Sequence, residues 1–205
     1  MNYDVISDDI IRFADSLRLE RFTVLGHSLG GRSSMTVACR FPDRVDGCIS
    51  VDAAPINESS DKSFGEFTYS VLAFMNKLSE DAVSIDEATK RANEFFKGKI
   101  QFVSLLTRNL DPNHKDEIKW LVNVEALLRE FRNIPYFDES LSFHGPTLQI
   151  VGGRSKIHPF EAYQKVFPNI TRDDVQIVEG AGHWVHFDKP LETIKLVSNF
   201  LDKLD

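Results

Sequence analysis

Ile6, Ile10, Phe13 and Leu17 recur at spacings of 4, 3 and 4 residues with aspartates between them. That period predicts an amphipathic helix with one apolar stripe at the start of the chain. Phe22-Thr23-Val24-Leu25 follows as a short β-rich run ended by Gly26, and Ser28 to about Phe41 reads as a helix closed by Pro42. Val45 to Val51 reads as a second, buried strand, stopped by Asp52 and then Pro55. Strands alternating with helices predict βαβ units and a parallel sheet.

The pattern then changes. Between about residue 57 and residue 140 only helical periods occur: Phe64, Phe67, Val71, Phe74 and Leu78 mark one helix, and Ser84 followed by Glu87 reads as a capping box opening another. Gly98 separates that helix from the Ile100–Leu106 run, and a further helix is predicted from about Asp116 to Glu130. Nine of the 16 phenylalanines lie between Phe64 and Phe143, which suits either a separate core or a lid lining an apolar pocket. Strand signals return at Pro146–Val151, ended by Gly152-Gly153, and at Val175–Val178, with helices over about Pro159–Phe167 and Pro190–Leu204. The expected organisation is an α/β core formed by residues 1–56 and 141–205, with a helical lid insertion over 57–140.

Composition narrows the function. The chain has 205 residues, 42% of them hydrophobic and 27% charged, with a formal net charge of −7. An acidic chain is a poor partner for nucleic acid, and no apolar run approaches the roughly 18 residues of a membrane span. Cys39 and Cys48, each among apolar neighbours, read as small buried thiols rather than a disulfide framework. Aspartates interrupt the first apolar run and no basic segment precedes it, so the start does not read as a signal peptide and a cytoplasmic location is expected.

The sharpest chemical signal is Gly26-His27-Ser28-Leu29-Gly30, a G-x-S-x-G between a predicted strand and a predicted helix, extended by Gly31. A strand-to-helix turn this tight needs glycines around the serine, and it lifts the Ser28 hydroxyl above the sheet end. The Leu29 backbone N–H then lies where it can join an oxyanion hole, helped by the helix dipole. A serine nucleophile needs a base, and His183 in Gly180-Ala181-Gly182-His183-Trp184, just past the last strand, is the best candidate. His27 is too close in the turn to serve, His186 suits a pocket, and His114, His144 and His158 fall in lid or loop contexts. The loop after the third strand, Gly152-Gly153-Arg154-Ser155-Lys156, carries no carboxylate. The acid is therefore sought at Asp52, on the end of the strand beside the nucleophile strand, with Glu125 in reserve. No metal-ligand spacing, phosphate loop or dinucleotide fingerprint occurs, so no cofactor or metal is expected.

These motifs resemble the α/β-hydrolases, and within them the YbfF-type esterases and their eukaryotic relatives, the abhydrolase-domain-eleven proteins. The resemblance rests on Gly26–Gly31, Val51–Pro55, Trp120 with Asn123, Gly145-Pro146-Thr147, and Ala181–His186 followed by Asp188-Lys189-Pro190. It implies an α/β-hydrolase fold and hydrolysis of a small-molecule ester or thioester through an acyl-enzyme on Ser28. His183 is then the base, Asp52 the acid, and no cofactor is required. Family members also carry N-terminal strands and a His-Gly loop ahead of the position matching Met1. The expectation is therefore an N-terminally truncated fold whose uncovered nucleophile strand favours self-association. A mitochondrial location is the alternative if a longer N-terminus carries a transit peptide. The alternative function is a non-catalytic or incomplete relative acting as a binding or scaffold protein.

Overall fold

The computed structural model describes residues 2–56, 62–81, 84–114, 117–131, 137–156 and 158–204. In chain order the helices and strands are α1 (Tyr3–Ser16), β1 (Phe22–His27), α2 (Leu29–Arg40), β2 (Val45–Val51), α3 (Lys62–Glu80), α4 (Ile85–Phe95), α5 (Ile100–Thr107), α6 (Val124–Glu130), β3 (Thr147–Gly152), α7 (Phe160–Val166), β4 (Val175–Val178), α8 (Val185–Asp188) and α9 (Pro190–Leu201). The chain divides into two compact units, Met1–Glu58 with Tyr136–Asp205, and Ser59–Pro135.

In the first unit the strands form one parallel sheet in the order β1-β2-β3-β4. Strands buried on both faces read as near-continuous apolar runs, and Cys48-Ile49-Ser50-Val51 and Leu148-Gln149-Ile150-Val151 read that way. Alternate residues serve the two faces. Val24, Cys48 and Val151 pack with Met35, Val37, Tyr163 and Phe167 on one side. Ile49, Val51, Leu148, Ile150 and Val178 pack with Val185 and Phe200 on the other. Phe137 also joins the core of this unit and meets the Tyr3 ring edge-on.

Helix α1 sits differently from the predicted stripe. Phe13 is 65% exposed and Leu17, the C-cap, 54%, while Tyr3, Ser7 and Ala14 are buried. The buried face follows residues 3, 7 and 14 with Ile6, Ile10 and Ile11 at its flanks. Small residues on that line let the helix lie close to its neighbour, and Ser7 is satisfied there. Its hydroxyl donates to the Asp4 carbonyl at 2.8 Å and accepts from Arg40 Nη1. Helix α8 was not expected, and α9 ends at Leu201 with Asp202 as its cap, short of the predicted Leu204.

The second unit has its own core, centred on Met75, Ala92, Phe96, Val103, Leu106 and Val124. Aromatic rings pack on one another there, Phe74 stacked on Phe95 at 4.3 Å and Phe96 on Phe102 at 5.6 Å. Ser84 caps α4 by accepting from the Glu87 N–H, but the Glu87 carboxylate turns to Arg91 at 2.9 Å instead of closing the box. The helix predicted from Asp116 to Glu130 is shorter. Residue 116 lies outside the described residues, and the 117–123 stretch is not helical, with Trp120 in an antiparallel bridge to Leu110. Asn123 then starts α6 by accepting from the Ala126 N–H at 2.9 Å. An asparagine cap competes with a continuous helix.

Cys48 is fully buried and Cys39 partly so; burial pushes the Cys39 thiol up to about 12 and the Cys48 thiol further. Among the described residues no helix is long and apolar enough to cross a membrane.

The packing of α9 sets one expected outcome. Phe200 fills the space above Gly47 that a Cβ would otherwise enter, its ring 2.9 Å from that position. Phe200→Ala should cost about 3–5 kcal/mol of stability, read as a lower midpoint in urea unfolding.

Candidate active site

Ser28 follows β1 directly, with φ 56° and ψ −117°. This is the left-handed side of conformational space, which a serine adopts at a cost of roughly 1–3 kcal/mol. The turn forms because Gly26 has no side chain: a Cβ there would stand 2.1 Å from the Gly30 carbonyl oxygen. Gly31 is also confined, though less tightly, its Cβ position 2.8 Å from Ala53 Cβ and 2.9 Å from Ser50 Oγ. Gly30, expected to be needed for the tightness of the turn, has open space where a Cβ would go. The turn needs the Gly30 backbone close to Gly26, not a missing side chain at Gly30.

Serine is a favoured helix cap, yet the Ser28 hydroxyl makes no cap bond to α2. It is turned instead to His183, with Oγ 3.0 Å from Nε2. His183 Nδ1 lies 2.6 Å from Asp52 Oδ2. With the Nδ1 proton donated to a carboxylate, a neutral imidazole leaves its Nε2 lone pair to accept from Ser28.

The sheet register brings these groups together. His27 pairs with Val51 and Val51 with Ile150, and one residue further on the Ser28 N–H donates to the Val51 carbonyl and the Asp52 N–H to that of Ile150. Ser28 and Asp52 thus leave adjacent strands at the same level, at the carboxyl ends where open α/β sheets bind ligands. Asp52 also has positive φ, 49°, and its side chain is 6% exposed against 37% for His183.

Three donors hold the Asp52 carboxylate. The Gly152 N–H reaches Oδ1 at 2.8 Å, while Ser155 Oγ at 2.8 Å and His183 Nδ1 reach Oδ2. The last residue of β3 and the loop after it, which lacks an acid, therefore supply hydrogen-bond donors to the acid that follows β2. The Tyr163 hydroxyl is pushed up to about 12, first by burial and then by the charge of Asp52.

Other contacts fix the loop that carries His183. Asp188 Oδ2 accepts from the Gly182 N–H at 2.7 Å and from Arg154 at 3.3 Å, and the Arg154 N–H donates to the Ala181 carbonyl. His27 Nε2 lies 2.7 Å from the His183 carbonyl oxygen. Burial is the main cause that lowers the His27 pKa. The Leu29 N–H is in the first turn of α2, where helix N–H groups have no intrahelical acceptor. Glu125, the reserve acid, lies in the first turn of α6 in the second unit.

Ser28, His183 and Asp52 are therefore brought together by the fold. Sequence reasoning missed Ser155, Arg154 and Asp188; the acid-free loop after β3 was a signal for the first two. The arrangement holds a hydroxyl against an imidazole that a buried carboxylate orients, beside a helix N-terminus suited to developing negative charge.

A family profile described as alpha/beta hydrolase fold matches residues 1–190. The chain is 29% identical over 210 residues to the sn-1-specific diacylglycerol lipase ABHD11 of Xenopus laevis, covering 98% of this chain and 65% of that protein. It is 27% identical over 207 residues to Esterase YbfF of Escherichia coli (strain K12), covering 98% of this chain and 76% of the other. Among solved structures, a marine microorganism esterase matches with a TM-score of 0.86 at 23% identity, over 98% of this chain and 77% of that one.

The turn gives a sharp steric expectation. In Gly26→Ala the new methyl group meets backbone, so the loss of stability should reach about 3 kcal/mol or more, measured by chemical unfolding. Gly30→Ala should cost far less in the same experiment.

Proposed function

The chain belongs to the α/β-hydrolase fold family, and from that premise we propose that it is a carboxylic ester hydrolase working through an acyl-enzyme on Ser28. The observation that carries this reading is the continuous line of contacts from Ser28 Oγ to His183 Nε2 at 3.0 Å and from His183 Nδ1 to Asp52 Oδ2 at 2.6 Å. The names of the relatives, a diacylglycerol lipase and an esterase, support the same bond type. The chain spans 65% of the length of the Xenopus laevis protein.

In this mechanism Ser28 Oγ attacks the carbonyl carbon of a small ester or thioester while His183 Nε2 takes its proton. The Leu29 N–H stabilises the oxyanion of the tetrahedral intermediate. The imidazolium, held by Asp52, then gives its proton to the leaving oxygen or sulfur, and an acyl group remains on Ser28. Water attacks that acyl group as its proton passes to His183, and when the bond to Ser28 Oγ breaks His183 gives that proton to Oγ and the acid leaves. Asp52 stays ionised throughout and keeps the imidazole in the tautomer with a free Nε2.

A fluorophosphonate probe and a short-chain ester test the reading. The purified chain should be labelled and turn over the ester, and Ser28→Ala should lose the label and about 10⁴-fold or more in rate. Asp52→Asn should cost about 10³–10⁴-fold, because the imidazole loses its orienting charge. Glu125→Gln should stay close to the parent. Equal labelling of parent and Ser28→Ala would overturn the proposal, and a large loss in Glu125→Gln alone would move the acid.

We also infer self-association through β1, which lies on the edge of the described sheet with Leu25 51% exposed. Sedimentation velocity should show a species larger than the monomer that grows with concentration; a monomer at every concentration would remove this inference.

A further inference from the structure

His27, the residue beside the nucleophile, makes a contact that the proposed reaction does not itself require. Its Nε2 lies 2.7 Å from the main-chain carbonyl oxygen of His183. A carbonyl oxygen only accepts, so Nε2 carries the proton, and in neutral His27 the proton-free nitrogen is Nδ1. The same ring packs against two other imidazoles, with centroids 4.7 Å from His183 and 4.7 Å from His186.

The consequence is geometric. Two consecutive residues at the end of β1 grip one residue of the distant loop: Ser28 meets the His183 side chain, and His27 meets the His183 backbone. Hydrogen bonds from other elements also hold this loop, and the Asp52 carboxylate, one residue past β2, meets His183 Nδ1. Arg154 holds the Ala181 carbonyl from the end of β3, and Asp188 holds the Gly182 N–H from α8. Those bonds fix the loop to β3 and to the chain that follows it, whereas the His27 bond ties it to the strand that carries Ser28. A displacement of the loop along the sheet rim would stretch the 3.0 Å contact between hydroxyl and imidazole unless β1 also holds the backbone.

We infer that His27 is a positioning residue, which sets the distance between Ser28 and His183 by donating its Nε2 proton to the His183 carbonyl. The inference rests on the acyl-enzyme reading for its kinetic consequence, but the bond itself is measurable without turnover. A side chain that keeps the ring shape and loses the donor should leave substrate binding alone and slow the chemical steps. Errors of about 1 Å in the placement of reacting groups cost up to about 10²-fold in rate.

The experiment compares the parent chain with His27→Phe, His27→Ala and His27→Gln, all checked for cooperative unfolding. Phe keeps the packing without the donor, Ala removes both, and Gln places an N–H near the position of Nε2. Ester kinetics should show kcat lowered about 10–100-fold in His27→Phe with KM little changed, and His27→Gln should recover most of the loss. Hydrogen–deuterium exchange of the peptide spanning residues 180–187 should speed up in His27→Phe and return toward the parent in His27→Gln. If His27→Phe does not fold, the Ala and Gln variants carry the same comparison.

Parent-like kcat and exchange in a folded donor-less variant would overturn the inference. So would a Gln variant as defective as Phe, because packing and not the donor would then be what matters. If the parent turns over no ester and takes no fluorophosphonate label, the proposed function fails, and the exchange comparison alone still decides whether His27 holds the loop.

Discussion

The close approach of Gly26 to Gly30 is the constraint on which the site depends. Only with hydrogen in place of a side chain at residue 26 does β1 pass directly into α2, and only then does Ser28 stand at positive φ with its hydroxyl clear of the helix. The strain at Ser28 is tolerated because its surroundings over-determine it. The Ser28 N–H is held by the Val51 carbonyl, and Gly31 presses against Ala53 and Ser50. Arg32 adds a further tie, its Nε donating to the Ala54 carbonyl at 3.2 Å. Helix α2 is thus bound to the segment after β2 as well as to β1, and the turn cannot relax without unpacking both.

Asp52 repeats the device on the neighbouring strand. It too leaves the sheet at positive φ, one step beyond its last paired residue, and its carboxylate is captured by the N–H that ends β3 and a hydroxyl of the loop after it. Backbone strain of this kind concentrates where side chains must be aimed. Here two strained residues on adjacent parallel strands aim a hydroxyl and a carboxylate at opposite nitrogens of one imidazole. The parallel register makes this economical, because residues at the same level on β1 and β2 emerge on the same rim.

Much of the first unit was legible in the sequence, for identifiable reasons. The central strands β2 and β3 are largely apolar because they are buried on both faces, so they stand out from the helices between them. The G-x-S-x-G run was legible because Gly26 answers to a backbone clash that no other residue type avoids. The exposed face of α1 was not: periodicity counts large apolar side chains, and there the packing uses Ser7 and Ala14 while Phe13 faces outward. The 117–123 stretch was misread because Trp120 pairs through its backbone with Leu110, a pairing that local sequence does not announce, and Leu121 and Val122 face outward. Ser155 acts through Asp52, 103 residues distant, and Arg154 through Asp188, 34 residues distant, while Asp188 also meets Gly182, six residues before it. Nothing in their immediate neighbours specifies the partner. The groups whose chemistry follows from local geometry were visible, and those that hold them in place were not.

The two thiols carry a consequence for how such a protein meets reactive molecules. A sulfur held at a pKa of about 12, as in Cys39, is almost wholly protonated at neutral pH, and Cys48 is more firmly so. Soft electrophiles and peroxides attack the thiolate, so they find little purchase on either residue. Burial thus withdraws both sulfurs from the chemistry that an exposed thiol would meet.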